Sequence, residues 1–215
     1  MLTIKLVRHG QSRANVGEVD AKDVGDHTIS LTDHGHAQAK QAGATLGRDY
    51  LEGALIYASP YQRTRQTLAA ILEGAGLKPG AARVYEDPRL REVEHGYAEW
   101  EAQQTMRRTH GWFYYRFEGG ESPADCFDRT SSFLESLMRQ VERKASERVL
   151  IVTHGLTLRC FVMRYLHLTV EQFDEIANPD NCDIVTVGEK STMKDPLFTT
   201  GRWGVTGLLR RPPEP

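Results

Sequence analysis

Three stretches of this 215-residue sequence place charged and nucleophilic side chains where an apolar run ends. Arg8-His9-Gly10 follows residues 3–7, Ser59 with Arg63 follows residues 54–58, and His154-Gly155 follows residues 148–153. If those runs are neighbouring strands, two histidines and two arginines converge. Guanidinium groups hold phosphoryl oxygens bidentately with fixed charge, and a neutral imidazole is able to attack phosphorus. The set therefore fits phosphoryl transfer. Phosphate monoesters hydrolyse extremely slowly without a catalyst, so the site must concentrate positive charge on the transferring oxygens, and Arg8, Arg63 and His154 would supply it. Neighbouring arginines also favour the uncharged form of His9. A hydrogen bond from one of its ring nitrogens to a nearby carbonyl would leave the other free to attack.

The elements that must position these residues follow from periodicity. Residues 3–7 alternate apolar and β-branched side chains and read as a first strand; residues 54–58 and the nearly continuous apolar run 148–153 read as buried strands. Residues 83–85 and 183–187 add two more. Helices are expected over 33–51, where Ala37, Ala44 and Leu51 recur at helical spacing, and from Ser59 as N-cap with Pro60 at the first helical position. Further helices are expected over 99–108, 122–144, whose stripe is Phe127, Phe133, Leu134, Leu137 and Val141, and 156–165. Strands separated by helices predict an α/β fold: a three-layer α/β/α sandwich whose central sheet is mostly parallel, with residues 1–215 as one domain. Ligands of such sheets collect beyond the carboxyl ends of the strands, where the chemical residues stand.

Composition narrows the function. A formal net charge of -2 and a pI near 6.5 give no electrostatic footprint for nucleic acid or an anionic membrane. Cys126, Cys160 and Cys182 are odd in number and widely spaced, which argues against a disulfide framework or a structural zinc site and for a reducing compartment. MLTIKLVRHG lacks a secretory h-region, and no apolar run approaches a membrane span, so the expected location is cytoplasmic. The tail over 210–215, RRPPEP, reads as a solvated end.

The motifs resemble the histidine phosphatase (phosphoglycerate mutase-like) superfamily. Leu6 to Ser12 with Asn15 resembles its RHG(E/Q)(S/T)-x-x-N signature, Ser59 to Thr67 its S-x-x-x-R-x-x-Q-T segment, and Leu90 to Gly96 its L-x-E-x-x-x-G segment. Gly119 to Ser122 is similar to its GES turn and Val152 to Gly155 to its second histidine. Five separated matches in one order are hard to obtain by chance. The resemblance implies that His9 is phosphorylated, that Arg8, Arg63 and His154 hold the phosphate, and that Glu92 protonates the leaving oxygen. Glu92 must then take a proton from the attacking water, and partial burial would suit both steps. The resemblance further implies an Asn15 amide contact, a backbone contact at Gly25 in a loop over 16–30 a few residues longer than in many relatives, and close backbone approach at Gly155. No cofactor and no metal are implied, and the partner is a small phosphorylated substrate. The oligomeric state stays open, a homodimer among the arrangements.

Competing readings attach to several residues. Glu94, Glu86 and Glu99 rival Glu92 as the acid. The remaining histidines read as loop or surface residues, and His34 with His36 lacks the i, i+4 spacing of two metal ligands on a helix. Residues 112–117 are either an aromatic lid or core, and Arg107, Arg108 and Arg116 either bind a substrate anion or solvate a helix. Mutases of the family carry a basic residue beside the acid, whereas Val93 and Glu94 stand here and disfavour a bisphosphate, so phosphatase is expected over cofactor-dependent phosphoglycerate mutase. A phosphate- or phosphoprotein-binding module needs no nucleophile paired with a proton donor, and a metallophosphatase needs a ligand cluster that the sequence does not offer.

Overall fold

The computed structural model describes residues 1–78 and 80–212; residues 213–215 of the expected solvated tail lie outside that range. Its strands are β1 Thr3–Arg8, β2 Leu55–Ala58, β3 Val84–Glu86, β4 Arg148–Thr153, β5 Ile184–Glu189, β6 Phe198–Thr200 and β7 Trp203–Thr206. Its α-helices are α1 Ala21–Val24, α2 Asp33–Leu46, α3 Arg48–Glu52, α4 Gln62–Gly74, α5 Trp100–His110, α6 Pro123–Lys144, α7 Gly155–Leu166 and α8 Val170–Asp174. One sheet runs β3-β2-β4-β1-β5-β7-β6. Its β3-β2-β4-β1 half is parallel and carries the three strand ends noted above, while β5, β7 and β6 add antiparallel pairings.

The alternation along β4 explains the layers. Val149 and Ile151 pack with Phe133 and Leu137 of α6 and Phe161 of α7 on one face, whereas Leu150 and Val152 pack with Ala39, Ala42 and Leu46 of α2 and with Leu68 and Ile71 of α4 on the other. Each fully buried aliphatic or aromatic side chain contributes about 1.5–3 kcal/mol, so both faces hold the sheet. The register then fixes the site. Arg8 pairs with Thr153 and Ala58 with Val152, so His9, Ser59 and His154 leave the sheet together. His9 N donates to Thr153 O at 2.9 Å and Ser59 N to Val152 O at 3.0 Å.

Helix α2 is stitched to the turn after β1. Thr32 caps it by accepting from Gly35 N at 3.0 Å and also donates to Gln11 Oε1 at 2.9 Å, while Gln11 N donates to Gln38 Oε1 at 2.9 Å. Gly35 lies so close that a Cβ there would stand 2.1 Å from Gln11 O. The first two turns of α4 grip the same region at i, i+3 and i+4. Arg63 reaches Asp26, Gln66 Oε1 accepts from Leu31 N at 2.8 Å, and Thr67 Oγ1 accepts from Gly10 N at 3.0 Å.

Several expectations are corrected. The helix expected over 33–51 is two helices, because Gly47 adopts φ 77° between α2 and α3, a left-handed conformation that favours glycine. Ser59 does not cap α4: the helix begins at Gln62 with Tyr61 at the cap position, and the Ser59 hydroxyl is committed elsewhere. Helix α8 and strands β6 and β7 are additional elements. Phe113 and Phe117 of the aromatic segment are buried, against Phe127 and Phe173 and against His95 and Trp100 respectively, so these rings are core while Tyr114 is exposed. Ser122 caps α6 in a capping box with Asp125, and among the described residues no helix is long and apolar enough to cross a membrane.

The Gly35 contact makes a direct prediction. Gly35→Ala must push α2 off the Gln11 backbone, and overpacking of this kind costs typically 1–3 kcal/mol. Urea denaturation should show a loss in that range, and an unchanged midpoint would mean that the approach is not tight.

Candidate active site

His9 follows β1, next to the end of β4 that carries His154, and is 4% exposed. Its Nδ1 lies 2.8 Å from Gly10 O, so Nδ1 carries the proton and donates, and Nε2 keeps the lone pair. Burial, followed by the charge of Arg63 and then that of Arg8, pushes the imidazole down to about 3, against a partly opposing Gly10 hydrogen bond. His9 is therefore neutral throughout the physiological range.

His154 is fully buried, its ring centroid 5.2 Å from that of His9. Its Nε2 lies 2.9 Å from Ser59 Oγ, and Tyr61 packs edge-on against the ring. Burial first and the Arg63 charge second hold it well below the usual histidine range. Its Nδ1 and the Nε of Arg8 are buried without a hydrogen-bond partner among the described residues. Arg8 is anchored by Nη1 donating to Pro179 O at 2.7 Å.

Arg63, 5% exposed, is held by the loop over 16–30. Its Nη1 donates to Asp26 O and Asp26 Oδ1, both at 2.7 Å, and its Nη2 to Asp26 Oδ2 at 3.0 Å. This bidentate clasp engages one edge of the guanidinium, and Nε with the second Nη2 proton belongs to the other edge. The motif reading did not include Asp26, because nothing in GDHT marks an arginine partner until the fold brings α4 beneath that turn.

Glu92 is half-buried at the N-terminus of α7. Its carboxylate accepts from Val93 N at 3.0 Å, Leu156 N at 3.3 Å and Thr157 N at 3.4 Å. The chain around it is tied down by Thr153 Oγ1 donating to Leu90 O at 2.7 Å and Thr157 Oγ1 donating to Arg91 O at 2.6 Å. The GES turn completes this support: the Glu121 carboxylate pairs with both Arg91 and Arg129, and Arg129 Nη1 donates to Arg89 O at 2.7 Å. Glu94 is exposed and takes part through its carbonyl, which accepts from Glu121 N at 2.9 Å.

The secondary positions differ in what they offer. Asn15 Oδ1 accepts from Ser12 N at 3.0 Å and from Asn181 Nδ2 at 3.3 Å, which turns the amide oxygen inward. Asn181 Nδ2 also donates to His9 O at 2.9 Å, a contact with no signal in the sequence. Gly25 has φ 79° and spends its N–H on Ala21 O. A Cβ on Gly155 would meet Asn178 Oδ1 at 2.1 Å, so this glycine allows close packing at the start of α7.

The depressed His9 sets a pH dependence. An unfolded histidine takes up a proton near pH 6.5, whereas folded His9 refuses one until about pH 3. Stability is thus fully present above pH 6.5 and falls below it, by about 1.4 kcal/mol per pH unit for each such group. Urea titrations between pH 7 and 4 should show this slope, and His9→Asn should flatten it by about one proton. An unchanged slope in the variant would reject the neutral buried His9.

Comparison with known proteins identifies the family and the fold. A model of the histidine phosphatase superfamily (branch 1) matches residues 4–195. The phosphoglycerate mutase-like protein AT74 of Arabidopsis thaliana is 39% identical over 201 residues, covering 84% of this chain and 63% of AT74, so the chain spans less than two thirds of that relative. The broad-range acid phosphatase DET1 of Saccharomyces cerevisiae is 27% identical, covering 86% of this chain and 84% of DET1. A solved mycobacterial glucosyl-3-phosphoglycerate phosphatase, in complex with VO3, shares the fold with a TM-score of 0.71 at 23% identity, covering 96% of this chain and 98% of that one. The chain belongs to the histidine phosphatase superfamily, branch 1.

Proposed function

We propose that this protein is a phosphatase that hydrolyses a small phosphomonoester, without a metal, through a phosphohistidine on His9. The observation that carries the reading is the neutral His9 imidazole, Nδ1 tied to Gly10 O, beside two arginines and a second buried histidine. Nε2 forms the bond to phosphorus as the ester P–O bond breaks, and Glu92 gives its proton to the leaving oxygen. Arg8, the free edge of Arg63 and His154 Nδ1–H hold the phosphoryl oxygens; the last requires Ser59 Oγ to donate to Nε2 of His154. Water then attacks phosphorus, the P–N bond breaks, and the Glu92 carboxylate takes the proton. With Oδ1 of Asn15 taken up by Ser12 N and Asn181 Nδ2, its Nδ2 would be the atom to donate to the same oxygens, and the Gly155 N–H would be the backbone donor at the start of α7.

A mutase passes through the same phosphohistidine, but Val93 is buried in the core, Glu94 is exposed and Arg91 is paired with Glu121, so the stretch beside Glu92 lends no unpaired arginine to a second anionic group. The name of the DET1 relative, a broad-range acid phosphatase, supports the hydrolytic reading. Three free cysteines suit a reducing cytoplasm.

Hydrolysis of a generic aryl phosphate with EDTA present is the test. Turnover should survive EDTA and vanish in His9→Ala; loss with EDTA, or persistence in His9→Ala, would overturn the reading. Asp26→Ala, which removes two of the three bonds that orient Arg63 and leaves the one to the Asp26 carbonyl, should lower kcat/KM about tenfold, a loss of about 1.4 kcal/mol of transition-state stabilisation. Wild-type kinetics in that variant would show the clasp to be idle.

A further inference from the structure

Seven buried side-chain nitrogen and oxygen atoms lack a hydrogen-bond partner among the described residues. Two, Arg8 Nε and His154 Nδ1, belong to the His9 site, where an anion would engage them. Four others, Gln104 Nε2, Arg107 Nε, Arg159 Nε and Asp174 Oδ1, fall together elsewhere, on α5, α7 and α8.

Trp112 marks their common ground. The guanidinium of Arg107 lies 3.8 Å from the Trp112 ring centroid, that of Arg211 5.8 Å and that of Arg159 5.9 Å. Arg107 is 5% and Arg159 3% exposed. Arg107 Nη1 donates to Gln104 Oε1 at 3.1 Å, which places the Gln104 amide group at the same locus, and Arg159 Nη2 donates to Phe173 O at 3.0 Å. Asp174 lies within electrostatic reach of all three arginines and is the carboxylate that they share. Three cations crowd this one shared carboxylate next to buried surface, with Glu92 in range of Arg159 and Glu171 in range of Asp174 as the further acids. Stacking on Trp112, Phe117 and Phe173 offsets part of the cost of burying these cations but leaves the Nε–H of Arg107 and of Arg159 unused.

We propose that this locus is a second anion-binding site, separate from the His9 cradle, for a phosphate-class oxyanion. Its charged oxygens accept from Arg107 Nε, Arg159 Nε and Gln104 Nε2, and its remaining P–OH donates to Asp174 Oδ1. The pairing of orphaned donors with one orphaned acceptor selects an oxyanion that keeps a hydroxyl, such as monohydrogen phosphate, over a simple halide. Burial and the charge of Arg211 push both Arg107 and Arg159 below the ordinary arginine range, as crowded cations without their counter-ion would be.

The test is titration of the full chain with inorganic phosphate at constant ionic strength, followed by calorimetry and phosphorus NMR. The wild type should bind two phosphates. Arg63→Met should remove one of them, and Arg107→Met or Gln104→Leu should weaken the other about tenfold while aryl phosphate turnover persists. Gln104→Leu keeps every guanidinium, so it decides the matter if Arg107→Met fails to fold. A single site that vanishes in Arg63→Met would overturn the proposal. So would a second phosphate indifferent to Gln104→Leu, or one displaced by chloride at equal ionic strength, the mark of charge screening alone. Because Arg63→Met reports on the cradle and Gln104→Leu on this locus, failure here leaves the phosphatase reading standing.

Discussion

Everything at the His9 site depends on keeping an imidazole uncharged between buried guanidinium groups. A protonated His9 has no lone pair to offer phosphorus, and in water near neutral pH a fraction of any histidine is protonated. Burial to 4% exposure with the charges of Arg63 and Arg8 beside it removes that fraction, and the Gly10 carbonyl selects which nitrogen keeps its proton. The same arginines that gather positive charge at the site therefore also keep its imidazole neutral. Folding bears the cost, since these groups leave water before any substrate neutralises them.

That cost explains how heavily the surrounding backbone is fastened. The turn after β1 is held from α2 by Thr32 and Gln38, from α4 by Thr67 and from the loop after α8 by Asn181. The Glu92 segment is held from β4, α7 and, through Glu121 and Arg129, α6. A misplacement of about 1 Å at a reacting group can cost a hundredfold in rate, and motif residues such as Thr67 and Glu121 hold the backbone and arginines around the site in place.

Legibility in the sequence followed the range of the physics. The strand ends were readable because alternating burial is local and β1, β2 and β4 each end in a chemical residue, and the two-faced sheet followed from runs such as residues 148–153. Glu92 was readable only through motif resemblance, because what distinguishes it from Glu94 is its contact with amides 64 and 65 residues away. Ser59 satisfies the local rule for a cap yet serves His154, 95 residues on, and tertiary demand overrode propensity. Gly47 carried a stop signal that the spacing of Leu51 outweighed. Strands β6 and β7, three and four residues long, have too little pattern to register.

Asp26 shows how a loop too irregular to interpret by pattern acquires a defined role. Its turn, Asp26–Thr28, is a 3₁₀ helix entered through Gly25 at φ 79°, and Thr28 Oγ1 bonds back to Val24 O and Gly25 O. Those bonds close the turn locally but do not place it. Placement comes from the carboxylate and carbonyl of Asp26 on Arg63, and Lys22 Nζ adds contacts to Tyr97 O and Ala98 O. The loop and the arginine order each other. One edge of the Arg63 guanidinium fixes the loop and the opposite edge takes no part in that clasp, so the planar fork of arginine orders the loop with half of its donors to spare.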